Sequence, residues 1–201
     1  ATENIIMAAS LARGITLINN VAKEPEIIDL AKALNSMGAK ISFSGGDCIK
    51  VEGVNSLKEA EHTIMFDRIV AGTYILAGVM LNKKFTINNI DPIFLKSLTD
   101  TLKRMKANLD IQENYVTTLP SKEIIGTDIE TAPYPGFPTD LQAQIMSLMC
   151  IANGKSKISE KIFENRFMHV AELNRLGANI KIKNDIAYIQ GNIKFKGSQV
   201  M

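Results

Sequence analysis

The chain has 201 residues, 46% hydrophobic and 22% charged, the balance of an ordinary soluble globular protein with one large domain or two small ones. Its 23 basic and 21 acidic residues leave a net charge of +2 and are scattered, without the Lys/Arg stripe and interleaved aromatics of a nucleic-acid surface, so nucleic acid is not an expected partner. No apolar run approaches the ~20 residues that span a bilayer, Ala1 to Ile18 lacks the basic start and apolar core of a leader, and Cys48 and Cys150 are too few for a disulfide framework or a zinc site; the expectation is a cytoplasmic protein with no membrane partner, its thiols reduced and mostly buried.

In chain order, one pattern recurs three times with a period of roughly 70 residues: helix, strand, helix, then two strands. An apolar helix rich in Ala, Met and Leu runs into Gly14-Ile15-Thr16-Leu17-Ile18-Asn19-Asn20, a joint repeated as Lys83 to Asn89 and more loosely as Gly154 to Glu160. The second helix of each pass ends alike, at Leu34-Asn35-Ser36-Met37-Gly38-Ala39-Lys40-Ile41, at Leu102 to Leu109 and at Leu173-Asn174-Arg175-Leu176-Gly177-Ala178-Asn179-Ile180. Gly38 and Gly177 suit a left-handed helix stop, a position that Lys106 fills less comfortably or avoids. Two short alternating strands follow each stop: Lys40 to Ser44 and Cys48 to Glu52 around Gly45-Gly46-Asp47, and later Ile180 to Lys183 and Ile186 to Gln190 around Asn184-Asp185. The expected fold class is therefore α/β, in repeated modules with a partly parallel sheet and a shared helical core. A purely structural repeat accounts for most of the apolar residues.

The first helix of each pass opens on small polar or acidic residues, at Thr2-Glu3-Asn4, at Asp67 to Thr73 and at Thr139-Asp140. Modules arranged about a pseudo-threefold axis would aim these helix N-termini, with their unpaired amides, at one surface suited to phosphates and carboxylates.

The richest stretch is Pro135-Gly136-Phe137-Pro138-Thr139-Asp140-Leu141-Gln142-Ala143-Gln144. Pro135, Gly136 and Pro138 rule out regular structure, Thr139 or Asp140 can cap, and Leu141 to Ile151 continues as an apolar helix. A strand over Ser156 to Ser159 then leads through Glu160 to Glu164 into Asn165-Arg166, before Met168, Val170 and Leu173 open another helical pattern. An acid and an arginine thus stand at two element ends, where recognition groups are found. Taken singly, Asp140 would be a helix cap and Arg166 a surface ion-pair partner.

Four stretches together carry a resemblance: Pro135 to Gln144, Phe163-Glu164-Asn165-Arg166-Phe167-Met168-His169-Val170, Asp67-Arg68-Ile69-Val70-Ala71-Gly72-Thr73, and Lys23-Glu24-Pro25-Glu26-Ile27. Taken in chain order they resemble the UDP-N-acetylglucosamine enolpyruvyl transferases (1-carboxyvinyltransferases) of the EPSP synthase-like superfamily, and the resemblance runs from Ala1 to Met201. It implies an inside-out α/β barrel of βαβαββ modules in a two-domain enzyme, with residues 1–65 the last module of the first domain and 66–201 most of the second. It implies transfer of enolpyruvyl from phosphoenolpyruvate to the 3'-hydroxyl of UDP-N-acetylglucosamine with release of phosphate, the first committed step of peptidoglycan synthesis, without metal or organic cofactor. The family's Lys-Asn pair, its mobile loop bearing Cys or Asp, and its Asp-Leu-Arg and later arginine would lie outside this chain, which alone would be inactive and would need those parts as partners. Cys48, on a strand of another module, is not the loop cysteine.

By the same resemblance Asp140 is the general base and a ligand to the sugar, Arg166 the clamp on phosphoenolpyruvate, and Ile162 a backbone contact to the UDP-sugar. Glu164 and Asn165 would orient the arginine or hold its loop, Tyr134 would meet the ligand at the cleft rim, and Asp67 and Arg68 would pair at the interdomain crossing. His62 and His169 have no metal partners in the sequence, and His169 is expected to assist locally. Two rivals stay open: an enolpyruvyl transferase with a shikimate-type acceptor, and a non-catalytic UDP-sugar-binding or structural remnant.

Overall fold

The three passes of the sequence are three copies of one structural motif. The computed structural model describes residues 1–200 and falls into two units, Ala1–Met65 and a second beginning at Phe66. The first unit contains α1 (Thr2–Ser10), β1 (Ile15–Asn19), α2 (Pro25–Ser36), β2 (Lys40–Phe43) and β3 (Cys48–Glu52). Both β1 and β2 pair antiparallel with β3, giving the order β1-β3-β2. Ile18, Ile41, Ile49 and Val51 from this sheet meet Ile6 of α1 and Ile27, Ala31 and Leu34 of α2 in a separate apolar core.

The second unit contains the other two passes. The first runs α3 (Arg68–Met80), β4 (Phe85–Asn88), a 3-10 turn at Pro92–Leu95, α4 (Lys96–Arg104), β5 (Asn108–Gln112) and β6 (Tyr115–Leu119), with sheet order β4-β6-β5. The second opens with a strand that the sequence pattern does not announce, β7 (Asp128–Glu130), and continues with a 3-10 turn at Thr139–Leu141, α5 (Gln142–Ile151), β8 (Lys155–Ser159), α6 (His169–Arg175), β9 (Asn179–Lys183) and β10 (Ile186–Gln190). β7 adds parallel to β8 in the order β7-β8-β10-β9, so this pass is a full βαβαββ module.

The repeated helix stops have one cause. In each, an alanine N–H reaches back to a leucine carbonyl: Ala39 to Leu34 at 3.0 Å, Ala107 to Leu102 at 2.9 Å and Ala178 to Leu173 at 3.0 Å. The turn requires a positive φ, taken by Gly38 (98°), by Lys106 (64°) and by Gly177 (101°), so Lys106 does adopt the conformation that glycine reaches without steric cost. The asparagine after the leucine explains why it recurs. The Asn35 side chain accepts from the Ile41 N–H at 2.8 Å and donates to the Ile41 carbonyl at 2.9 Å, and Asn174 does the same with Ile180 at 3.0 and 3.1 Å. Each asparagine thereby ties a helix end to the first residues of the next strand.

The core of the second unit forms around α3 and α5. Ile75, Leu76 and Val79 of α3 meet Ile145, Met146, Leu148 and Met149 of α5, all buried. Each large side chain so buried contributes about 1.5–3 kcal/mol. Gly72 permits the close approach, since a Cβ there would fall 2.6 Å from Cδ1 of Leu141 and 3.1 Å from Cδ2 of Leu98. Gln144 of α5 donates to the Thr73 hydroxyl at 3.0 Å, which fixes the same contact laterally. The start of α5 is thus held against α3 by packing before any site residue is considered. Among the described residues no helix is long and apolar enough to cross a membrane.

Loss of the Asn174 clamp strands the N–H and carbonyl of buried Ile180. Asn174→Ala is expected to cost ~1–3 kcal/mol in urea unfolding, whereas Lys103→Ala, at the corresponding exposed position of the middle pass, should stay within about 0.5 kcal/mol.

Candidate active site

Two connections of the second unit meet at the C-terminal end of β8. One runs from β7 through Thr131 to Leu141 and delivers Asp140 on the 3-10 turn that opens α5; the other is the segment from Glu160 to Met168 between β8 and α6. The first is closed on itself by Ala132 N–H to the Phe137 carbonyl at 3.0 Å, with the Tyr134–Pro135 peptide cis inside the loop and the Phe137 ring buried. Asp140 and Arg166, 26 residues apart, come together across the junction with Nη2 of the arginine 2.5 Å from Oδ1 of the aspartate. The guanidinium also lies over the Phe163 ring, 4.8 Å from its centroid, a contact worth ~0.5–1 kcal/mol at an exposed site. Neither Thr139 nor Asp140 caps the helix: the Thr139 hydroxyl donates elsewhere, and the arginine takes the aspartate.

Glu160 organises the junction. Only 3% exposed, it follows directly on β8 and accepts five hydrogen bonds. Thr131 Oγ1 (2.8 Å) and the N–H groups of Ile162 (2.9 Å) and Phe163 (3.1 Å) donate to Oε1, while Thr139 Oγ1 (2.9 Å) and Gln142 Nε2 (2.7 Å) donate to Oε2. Burial pushes this carboxyl up, and the bonds from Ile162, Thr131, Thr139 and Phe163 outweigh it and hold the group below the usual carboxylate range. Thr131 in turn accepts from the Lys161 N–H at 2.9 Å, and Lys161 Nζ reaches Asp185 on the β9–β10 turn at 2.6 Å.

The remaining expected residues fall into place unequally. Ile162 lines the cleft, and its N–H is engaged by Glu160. Asn165 sits in the left-handed region (φ 56°), where it turns the loop, and Glu164 is exposed beside it; the contacts that hold Arg166 come from Asp140 and Phe163. Asp67 caps α3, accepting from Ile69 N–H at 2.8 Å and Val70 N–H at 2.9 Å, and Arg68 stacks on Tyr134 at 5.6 Å, which ties the start of α3 to the Asp140 loop. The Glu160–Met168 segment and the β9–β10 turn enclose an open cleft of about 660 Å³. At the start of α6 the His169 Nε2 is buried without a hydrogen-bond partner among the described residues; burial first, and the Arg166 charge second, hold this imidazole below its usual range.

Sequence reasoning overlooked Glu160, Thr131 and Gln142. A signal existed in part, because Thr139 and Gln142 lie within the Pro135–Gln144 stretch, and an acid directly after the apolar end of a strand requires donors around it. Of the cysteines, Cys150 is fully buried and its thiol pushed up to about 11 by burial, and Cys48 at the start of β3 is only half-buried.

The whole chain, residues 1–201, matches the family described as EPSP synthase (3-phosphoshikimate 1-carboxyvinyltransferase). The chain belongs to the EPSP synthase family. Among family members it is 48% identical over 201 residues to the UDP-N-acetylglucosamine 1-carboxyvinyltransferase of Pelagibacter ubique (strain HTCC1062), a match covering all of this chain and 48% of the relative. It is 51% identical over 191 residues to the protein of the same name from Prochlorococcus marinus (strain MIT 9312), covering 95% of this chain and 42% of that one. It is 46% identical over 200 residues to UDP-N-acetylglucosamine 1-carboxyvinyltransferase 1 of Staphylococcus aureus (strain N315), covering 48% of its length. In three dimensions it resembles the crystal structure of the enolpyruvyl transferase NikO from Streptomyces tendae, with a TM-score of 0.81 and 26% identity over 92% of this chain and 44% of that one. The chain thus spans about half the length of the curated relatives it matches.

Burial and, after it, the Arg166 charge depress the His169 pKa, so protonation favours the unfolded state and the contribution of this imidazole to stability falls as pH drops below the ordinary value of ~6.5. By NMR the His169 C2–H should titrate below ~6.5 and move upward in Arg166→Gln, which removes the second cause. An unmoved titration would detach His169 from the Arg166 charge.

Proposed function

We propose that this chain is a segment of a UDP-N-acetylglucosamine enolpyruvyl transferase, and that it carries the general base and one cationic clamp of the site. One observation supports this above others: Asp140 and Arg166, delivered by separate connections, meet at 2.5 Å beside an open cleft. The names of relatives at 46–51% identity point to UDP-N-acetylglucosamine over a shikimate-type acceptor.

On this reading Asp140 takes the proton of the sugar 3'-hydroxyl as that oxygen bonds to C2 of phosphoenolpyruvate, while C3 takes a proton from a general acid in the rest of the enzyme; the tetrahedral adduct then gives a C3 proton to a base and expels phosphate, which restores the double bond. Arg166 faces the developing negative charge with a planar donor pair. Its pairing with Asp140 does not oppose this. The Arg166 and Asp140 side chains are 37% and 55% exposed, and an ion pair so solvated is worth only ~0–1 kcal/mol. An incoming carboxylate or phosphate can therefore draw the guanidinium away and leave Asp140 free for the hydroxyl. Because the Ile162 N–H is held by Glu160, a backbone contact from Ile162 to the UDP-sugar falls to its carbonyl. Tyr134, oriented by Arg68, serves the rim, while Glu164 and Asn165 shape the loop rather than grip the arginine. Residues 1–65 would be the last module of one family domain and 66–201 most of the other, each completed as a barrel by the rest of a cytoplasmic enzyme of peptidoglycan synthesis.

In the full-length protein supplied with both substrates, Asp140→Asn should lower kcat by ~10²–10⁴-fold, and Arg166→Ala should chiefly raise the KM for phosphoenolpyruvate. Turnover near that of wild type in Asp140→Asn, or phosphate release with a shikimate-type acceptor in place of the sugar nucleotide, would overturn the assignment.

A further inference from the structure

The five-fold acceptor at Glu160 does more than satisfy buried donors. We infer that Glu160 is the positioning residue of the site, setting the separation of Asp140 and Arg166 from between the two connections that bear them; this rests on the enolpyruvyl-transfer reading above. Its donors divide by origin. Thr139, the neighbour of Asp140, and Gln142, two residues beyond it, hold Oε2, while the N–H groups of Ile162 and Phe163, at the head of the Arg166 loop, hold Oε1. Thr131 closes the set from the end of β7 and clasps the Lys161 N–H in the same movement. Every neighbour donates and none accepts, an environment that only an acceptor-only group matches on both oxygens. Apart from those made by this carboxylate, the one hydrogen bond between the Thr139–Gln142 turn and the Ile162–Arg166 segment among the described residues is the solvated Asp140–Arg166 pair, which substrate must break.

The surroundings also supply a substitution that keeps the geometry while removing the charge. Gln142 is 1% exposed, and its Oε1 is buried without a hydrogen-bond partner. In Glu160→Gln, rotation of the Gln142 amide by half a turn presents that oxygen to the new NH₂ group, and the Thr139 hydroxyl can turn to accept as well. The carbonyl of the introduced amide then keeps Thr131, Ile162 and Phe163. Glu160→Ala has no such recourse, because all five donors lose their acceptor together.

The test is steady-state kinetics of the full-length protein with UDP-N-acetylglucosamine and phosphoenolpyruvate, for Glu160→Ala, Glu160→Gln and Thr139→Val, each alone and with Asp140→Asn. Misplacement of reacting groups by about an ångström costs on the order of 10²-fold, so Glu160→Ala should lose roughly that in kcat, Thr139→Val roughly 10-fold, and Glu160→Gln less than about 5-fold. In the Asp140→Asn background the further loss from Glu160→Ala should shrink to under about 3-fold, because a residue acting through Asp140 has nothing left to position. A Glu160→Ala enzyme with near-normal kcat, or a loss that is fully additive with Asp140→Asn, would overturn the inference. If Glu160→Ala does not fold, Thr139→Val and its double variant decide in the same way. Failure of the functional reading is distinct, since the wild-type protein would then release no phosphate. Positioning would in that case be judged by amide exchange at Ile162 and Phe163, which must accelerate in Thr139→Val and Glu160→Ala relative to amides of the β9–β10 hairpin; equal exchange would refute it.

Discussion

The structure around the candidate site depends on one constraint: a carboxylate removed from water must find as many donors as it lost. Glu160 finds them in a distant strand end, a distant helix start and the loop that follows it, and so converts a desolvation cost into a three-way junction. Much of the local architecture is the means of supplying those donors. β7 is a strand of only three residues, yet its parallel pairing with β8 brings Thr131 alongside. The 3-10 turn at Thr139–Leu141, tighter than an α-helix, points the Thr139 hydroxyl back toward the junction and leaves Asp140 facing outward to Arg166.

That junction is an elaboration of a plain repeat. All three passes share the helix stop, the hairpin beyond it and the return of the chain across the helix end, where Lys58, Ile125 and Lys196 donate to the carbonyls of Met37, Met105 and Leu176 at 2.8, 3.0 and 2.8 Å. The differences lie in the connection that leads into the second helix. In the first pass it enters α2 at Pro25, and in the middle pass it enters a 3-10 turn capped by Asp91. Only in the last does it become a long loop bearing an arginine, with α6 reduced to seven residues. A shorter helix is the structural counterpart of a longer recognition loop within a module of fixed length.

This division explains what the amino-acid sequence discloses and what it withholds. Periodicity and stop signals disclose the helices, the joints and the hairpins, because those depend on contacts within a few residues; even the left-handed Lys106 is visible as the odd member of a series. The Asp140 and Arg166 positions stand out through a motif, and the fold brings the two side chains together. Glu160 is not legible as the centre, since its partners come from positions 131, 139, 142, 162 and 163 and only the fold shows that they converge. β7 is missed for the same reason: three residues carry no period, and their strand identity is conferred by β8. Glu164, two residues before Arg166 in sequence, is exposed, and the contacts that hold the arginine come instead from Asp140 and Phe163.

The contact between Gly72 and Leu141 has a consequence for how this protein can drift. A methyl group at position 72 would strike the side chain that immediately follows Asp140, so the interior of α3 and the acid at the cleft share a mechanical boundary. Changes buried in that helix, ordinarily felt as melting temperature, would here be transmitted through Leu141 as a tilt of the turn bearing the carboxylate. Variation at this point of the hydrophobic interior is thereby coupled to chemistry at the surface, and α3 has less freedom at Gly72 than its smooth, apolar sequence suggests.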